Sequence, residues 1–217
     1  MKKALLVRLI AVALTLAVAP QLWAADASQT VQELQHAWAQ IKYRTPEKEQ
    51  AEKFQQLSER ARSATSEFSH SAPVWVWSGI IRASYAGAKG GLGALSAVKE
   101  AKADLEHAIA IDGSVLDGAA FTSLGSLYYQ VPGWPIGFGD DKKAEEYLRK
   151  GLALGEDDID ANYFYADYLF QSKDYARALQ YVQRAENAPR DMARPVASEG
   201  RLGEIKSLKA KIEGKLH

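Results

Sequence analysis

The chain has 217 residues, of which 47% are hydrophobic and 25% charged, and its 27 basic residues balance its 27 acidic ones. This apolar content excludes a disordered or low-complexity protein and is sufficient for one globular domain. Because the chain contains no cysteine, disulfides, thiolate metal sites, cysteine nucleophiles and a lipid-modified N-terminal cysteine are all excluded.

The N-terminal 24 residues have the pattern of a secretory signal peptide. The basic residues Lys2, Lys3 and Arg8 precede an apolar run over residues 9–19, and the small residue Ala24 follows. Since a membrane span needs about 20 apolar residues, we expect cleavage after Ala24 and no stable membrane anchor. Export of a chain without cysteine predicts a periplasmic protein.

Cleavage changes the charge of the remaining chain. It removes three of the 27 basic residues and no acidic one, which leaves 24 against 27 and a net charge of −3. A mildly acidic protein without a basic block has no electrostatic footprint for nucleic acid. We therefore expect no nucleic-acid partner.

Residues 25–217 are predicted to form a single all-α domain. Apolar residues recur at spacings of three and four, as in Leu34, Trp38 and Ile41. The segment Thr45-Pro46-Glu47 predicts a helix start with a hydroxyl cap and proline at the first helical position. Gly155 after Leu154 predicts a helix end.

A repeated pattern indicates paired helices. Three segments share a small residue, an apolar residue four positions later and a second small residue: 101–108, 144–151 and 178–185. An aromatic-rich segment precedes each of them: 75–85, 121–129 and 162–170. Small residues let two helices approach closely, so this pattern is typical of antiparallel helix pairs that stack into a solenoid.

The pattern resembles the tetratricopeptide repeat (TPR). Phe121, Leu124-Gly125 and Tyr128 match the first helix of that motif. Residues 31–63 resemble a degenerate first repeat, and a last helix from about Pro195 has the apolar stripe of a capping helix. The resemblance implies an all-α, right-handed TPR-like superhelix of about four helix pairs with a C-terminal capping helix.

Two insertions, the loops 86–93 and 130–141, separate the two helices of successive pairs. Equivalent turns of a solenoid lie on one edge, so we expect the two loops to lie side by side. Lys89, Gly90 and Gly91 have the composition of an anion cradle or of a flexible turn. Trp134 and Phe138 are candidates for ligand contact or for plugging the core beneath the loop. Asp140 fits a helix N-cap better than a catalytic acid.

The insertions carry a second resemblance. The segments 86–93, 122–129, 131–144 and 160–165 resemble the TatT-type T-component family of tripartite ATP-independent periplasmic (TRAP) transporters. The resemblance implies a periplasmic helical protein that docks the transporter's substrate-binding protein. It also implies a cleft for a small hydrophobic ligand and assembly as a homotrimer.

If the TPR resemblance holds, the first helix of each pair lines a concave face. Transferring that geometry gives these residues: Val76, Ile80 and Ala83; Thr122, Ser126 and Tyr129; and Tyr163, Asp167 and Phe170. Such a surface is half apolar and carries hydroxyls and one carboxylate. Together with the two loops it forms the predicted binding site, with about half of its aromatic residues expected to belong to the core.

Three functional hypotheses follow. The first is a non-enzymatic periplasmic adaptor that binds a partner protein, with a TRAP substrate-binding protein as the candidate, through the loop rim and the concave face. The second is a carrier of a small hydrophobic or anionic ligand in a cleft between helices. The third is a hydrolase with an unrecognised site. The four scattered histidines have no metal-ligand spacing and no nucleophile elbow is present, so we expect neither catalysis nor a cofactor nor a metal.

Overall fold

The computed structural model describes residues 26–216, so the predicted signal peptide lies outside the described residues. Every regular element in this range is a helix, in agreement with the all-α prediction. Helix α1 covers residues 26–44 of the described chain. It is followed by α2 (Glu47–Glu67), α3 (Ala72–Lys89), α4 (Leu95–Asp112), α5 (Val115–Gln130), α6 (Asp141–Leu154), α7 (Ile159–Gln171), α8 (Tyr175–Asn187) and α9 (Pro195–Leu216).

The predicted helix ends agree with the structure at two of three places. Gly155 is the C-cap of α6, and Asp140 is its N-cap, accepting hydrogen bonds from the backbone N–H groups of Lys142 and Lys143. The predicted start of α2 is wrong in detail. Pro46 occupies the N-cap itself, and the Thr45 hydroxyl donates to the carbonyl oxygen of Gln40 rather than capping the helix.

The first insertion is shorter than the sequence suggested. We expected a loop over residues 86–93, but α3 continues through Lys89, and only Gly90 and Gly91 break the helix before a 3₁₀ turn (Leu92–Ala94). Both glycines have φ near +63°, a conformation that most side chains disfavour. Alanine at 86 and 88 favours continuation of the helix, and this outweighs Gly87.

Consecutive helices pack closely where the sequence has glycine. A Cβ at Gly79 of α3 would collide with Leu105 of α4, and one at Gly125 of α5 would collide with Leu148 of α6. The two contacts involve the equivalent positions of the repeated pattern. They explain why α3 packs on α4 and α5 packs on α6 with so little space between them.

The buried apolar side chains form two clusters that share helix α3. One cluster joins α1, α2 and α3 through residues such as Leu34, Phe54 and Ile81. The other extends from Val76 of α3 through α4–α8 to Ile205 of α9. Because α3 contributes to both, the core is continuous along the chain from α1 to α9.

Helix α9 does more than cover the preceding pair. Its C-terminal half packs on α7 and α8 through buried residues that include Ile205 and Ile212. Its N-terminal half reaches α1, where Gly200 lies directly against the ring of Tyr43, leaving no room for a side chain. The Lys42 Nζ lies 3.4 Å from Glu204 Oε1. Helix α9 therefore connects α1 with α7 and α8.

Candidate functional site

A cavity of about 1360 Å³ lies between α1, α3, α5, α7 and α9. Its lining comes mainly from α1, α3, α5, α7 and α9, with further residues from α2, from the start of α4, from the two inserted loops and from the connections that precede α7 and α9. Small-molecule pockets usually measure about 300–1,000 Å³. The space is therefore large enough for an extended organic molecule.

One side of the cavity carries no charge, and we name it the uncharged wall. It consists of the lining residues within 77–98 and 119–136, none of which is ionic. Ile80 and Ala83 of α3 and Leu127 of α5 provide apolar surface. Ser126 and Gln130 add polar groups without charge. An apolar part of a ligand can lie here without leaving an ion desolvated.

The remaining lining residues include all the ionic ones, and we name them the charged wall. Its basic members are Lys42, Arg190, Arg194 and Arg201. Its acidic members are Glu47, Asp117, Asp157, Asp158, Asp160, Asp167, Asp191 and Glu204. The described lining is therefore acidic overall.

Arg201 of α9 is the centre of the charged wall. Its side chain is only 9% exposed, and its Nε lies 2.6 Å from Asp160 Oδ1 of α7. It also pairs with Glu204, and its guanidinium lies 4.5 Å from the centre of the Tyr163 ring. Burial alone would lower the pKa of Arg201, but the neighbouring Asp160 and Glu204 carboxylates outweigh burial and raise it. This arginine therefore stays charged and joins α9 to α7.

A buried tyrosine forms a hydrogen bond with one of the cavity carboxylates. The Tyr129 hydroxyl donates to Asp167 Oδ2 at 2.7 Å and accepts from Gln130 Nε2 at 3.1 Å. Burial and the Asp167 carboxylate raise the pKa of Tyr129 well above its usual value. The hydroxyl thus remains protonated and holds Asp167 in place on the wall.

Three carboxylates lie together where α5 and α7 begin. Leu116, Asp117 and Gly118 have φ values of 51°, 53° and 75°, and this left-handed turn brings the Asp117 side chain to the N-cap residue Asp158. Burial and the nearby Asp160 carboxylate raise the pKa of Asp158 to about 6, with a further contribution from Asp117. Among the described residues, neither Asp117 nor Asp158 has a basic partner within ion-pair distance.

Aromatic rings meet at the boundary between the two walls. The Trp38 ring lies edge-on to Tyr43 at 5.7 Å and to Trp77 at 5.8 Å. The Trp38 Nε1 donates to the Ser84 hydroxyl at 2.8 Å. In the described chain the Nε1 of Trp77 has no hydrogen-bond partner, although this residue is only 6% exposed.

Five of the predicted site residues line the cavity. They are Gly91, Thr122, Ser126, Tyr163 and Asp167, together with Ile80 and Ala83 from the predicted concave face. Val76 instead belongs to the core, Tyr129 lies behind Asp167, and Phe170 packs against Tyr175. The residues transferred from the TPR geometry therefore lie partly on the cavity and partly in or behind the core.

The loop residues have different positions. Lys89 lies over the Tyr85 ring and lines a separate, smaller pocket with Arg62 and Arg82, and Gly90 does not reach the cavity. Phe138 packs edge-on against Tyr128, so it plugs the core. Trp134 is 90% exposed and does not.

Both loops contribute to one cavity. Gly91 and Leu92 line it from the first loop, and Pro132 and Ile136 line it from the second. Leu92, Trp134 and Ile136 are exposed by 78%, 90% and 55%. We name these three residues the apolar rim.

The sequence did not indicate the residues that α1 and α9 contribute. Trp38, Tyr43, Arg201 and Glu204 line the cavity, yet both helices were predicted only as end elements of the fold. The single arginine of the last helix, among several lysines, was the available signal, because arginine is the preferred residue for buried ion pairs.

Compared with known protein families and with characterised proteins, the sequence matches no family model and no individual protein. Within residues 26–216, no helix has the length and apolarity needed to cross a membrane. In the same range, no three His, Asp or Glu side chains are grouped to hold a metal ion.

Proposed function

We propose that this chain is a non-enzymatic periplasmic binding protein that holds a small amphiphilic molecule in the central cavity. The cavity itself is the observation that carries this proposal. Its lining joins residues from α1 to α9 around about 1360 Å³ of space, and its two walls differ in charge. A large concave space lined by apolar side chains and a few polar groups is the usual form of a small-molecule site.

The proposed architecture is a TPR-like superhelix of four helix pairs, α1/α2 to α7/α8, with α9 as the cap. The equivalent contacts at Gly79 and Gly125 support a common repeat. The packing of α3 on α5 and of α5 on α7 supports a stack in which first helices are neighbours. In the proposed architecture those helices surround the cavity, which is the arrangement expected of a TRAP T-component.

Native mass spectrometry of gently purified mature protein tests the proposal. We expect an adduct of a small molecule that disappears in Ala83→Trp, because Ala83 lines the uncharged wall and a tryptophan there occupies the cavity. The matched control is Ala103→Trp, at an exposed position on α4 outside the cavity. An apo mass in the wild type, or an adduct retained in Ala83→Trp, would contradict the proposal.

A second candidate function is docking of a partner protein, such as a substrate-binding protein, at the apolar rim. Exposed large apolar side chains beside a cavity are typical of interaction surfaces, and Trp134 is the most exposed large hydrophobic residue here at 90%. The double substitution Leu92→Ala and Trp134→Ala should abolish capture of a periplasmic partner. Leu216→Ala, at the far end of α9, should not. Equal capture by both variants would exclude the rim.

A further inference from the structure

We infer that the molecule held in the cavity is an amphiphilic organic cation, with its apolar body on the uncharged wall and its cationic group on the charged wall. This inference rests on the proposed function, and it specifies the ligand class. It departs from the hydrophobic or anionic ligand that the sequence suggested.

Most basic residues of the charged wall are already neutralised by ion pairs. Lys42 pairs with Glu204, Arg194 with Asp191, and Arg201 with Asp160 and Glu204. Of the basic residues in the described lining, only Arg190 has no ion pair, and it is exposed on the connection between α8 and α9. An anionic group that binds at the buried Arg201 would have to displace a carboxylate from it.

The charged wall has an excess of carboxylates without a cation. Glu47, Asp117, Asp157, Asp158 and Asp167 line the cavity, and none of them has an ion-pair partner in the described chain. Asp117 and Asp158 both lie beside Gly155, and the Asp117 carboxylate adds to the cost of ionising Asp158. A bound cation would remove this repulsion, whereas a bound anion would add to it.

Aromatic rings also line the cavity, and their attraction for a cation is independent of the acids. Tyr43 is part-exposed there, whereas Trp38 and Trp77, 9% and 6% exposed, pack behind it. Aromatic faces attract organic cations by the quadrupole of the ring. Tyr163 and Phe164 on the charged wall already do so, since the Arg201 guanidinium lies 4.5 and 4.8 Å from their centres.

The test uses three probes with the same ten-carbon body: decyltrimethylammonium, decanol and decanoate. Each is titrated below its critical micelle concentration while tryptophan fluorescence is recorded. We expect the cation to bind at least about tenfold more tightly than decanoate. Its affinity should fall with added salt. In the double variant Asp117→Asn and Asp158→Asn, we expect about tenfold weaker binding of the cation and unchanged binding of decanol.

The controls separate this inference from the proposed function. Asp141→Asn, at an exposed position outside the cavity, should leave all three affinities unchanged. If decanoate or decanol binds at least as tightly as the cation, and Ala83→Trp abolishes that binding, the cavity proposal stands and the cation inference is wrong. If no probe binds, both fail. Unchanged cation binding in the folded double variant would also overturn the inference.

Discussion

The two walls of the cavity are built by different kinds of contact. The uncharged wall lies on α3 and α5, whose positions follow from close packing against the next helix in the chain at Gly79 and Gly125. The charged wall depends on residues far apart in the sequence, such as Tyr43, which donates to Glu204 Oε2 over a separation of 161 residues. Local packing therefore shapes one wall, and buried ion pairs assemble the other.

Because ion pairs assemble the charged wall, substitution of its central arginine should destabilise the protein more than substitution of any other single residue of that wall. Arg201→Met should lower the free energy of unfolding by about 3–5 kcal/mol, because the part-buried Asp160 loses its ion-pair partner and Glu204 keeps only Lys42. Urea denaturation measures the change. The control Arg44→Met breaks a pair whose side chains are 56% and 71% exposed, so it should cost less than about 1 kcal/mol. Similar losses in both variants would mean that the wall does not depend on Arg201.

The uncharged wall should respond to helix spacing instead. Gly125→Ala places a Cβ against Leu148 and the Ala144 carbonyl oxygen. We expect this overpacking to lower the free energy of unfolding by about 1–3 kcal/mol. At Gly87 of α3 a Cβ would meet nothing within 4 Å. Gly87→Ala should therefore stabilise the protein by up to about 1 kcal/mol through helix propensity. Thermal denaturation of the pair gives both values, and a harmless Gly125→Ala would refute close packing as the cause.

The charged wall should also make stability depend on pH. Asp158 faces Asp117 from α5 and Asp160 on its own helix, which is paired with Arg201 of α9, and its pKa is raised from 3.8 to about 6. The folded protein thus binds more protons than the unfolded chain between these values. Its free energy of unfolding should therefore fall as the pH rises through that window.

Asp158→Asn isolates this contribution, because asparagine retains the N-cap of α7 and does not titrate. Between pH 4 and pH 7, we expect the free energy of unfolding of the variant to fall by about 1 kcal/mol less than that of the wild type. This value is reduced for the partial exposure of the side chain. Denaturation at a series of pH values measures it. The control Asp141→Asn should keep the wild-type slope, and an unchanged slope in Asp158→Asn would contradict the assignment.

The smallest effect is expected in the loop that completes the uncharged wall. Trp134 is 90% exposed, so Trp134→Ala should change the free energy of unfolding by no more than about 0.5 kcal/mol. Phe138 packs on Tyr128, so Phe138→Ala should lower the free energy of unfolding by about 1–3 kcal/mol. Calorimetry of the two variants distinguishes a contact residue from a core residue. A larger loss from Trp134→Ala would show that its ring is buried.

Local sequence features predicted the helices and most of the uncharged wall. The spacing of apolar and small residues located α3 to α9, and the TPR resemblance placed Thr122 and Ser126 on the cavity side of α5. The left-handed turn at Leu116 and Asp117 could not be predicted, because leucine disfavours positive φ and a single aspartate does not specify a left-handed turn. The contacts of Tyr43 with α9 were equally inaccessible. They depend on the packing of all the helices between α1 and α9, which no local pattern encodes.

The most direct test is a crystal structure of residues 25–217 with decyltrimethylammonium. We predict electron density for the decyl chain along Ile80 and Leu127, with the ammonium group within about 6 Å of an aromatic face or a carboxylate of the charged wall. Density on the outer surface, or a cavity containing only water at saturating probe, would contradict the central claim.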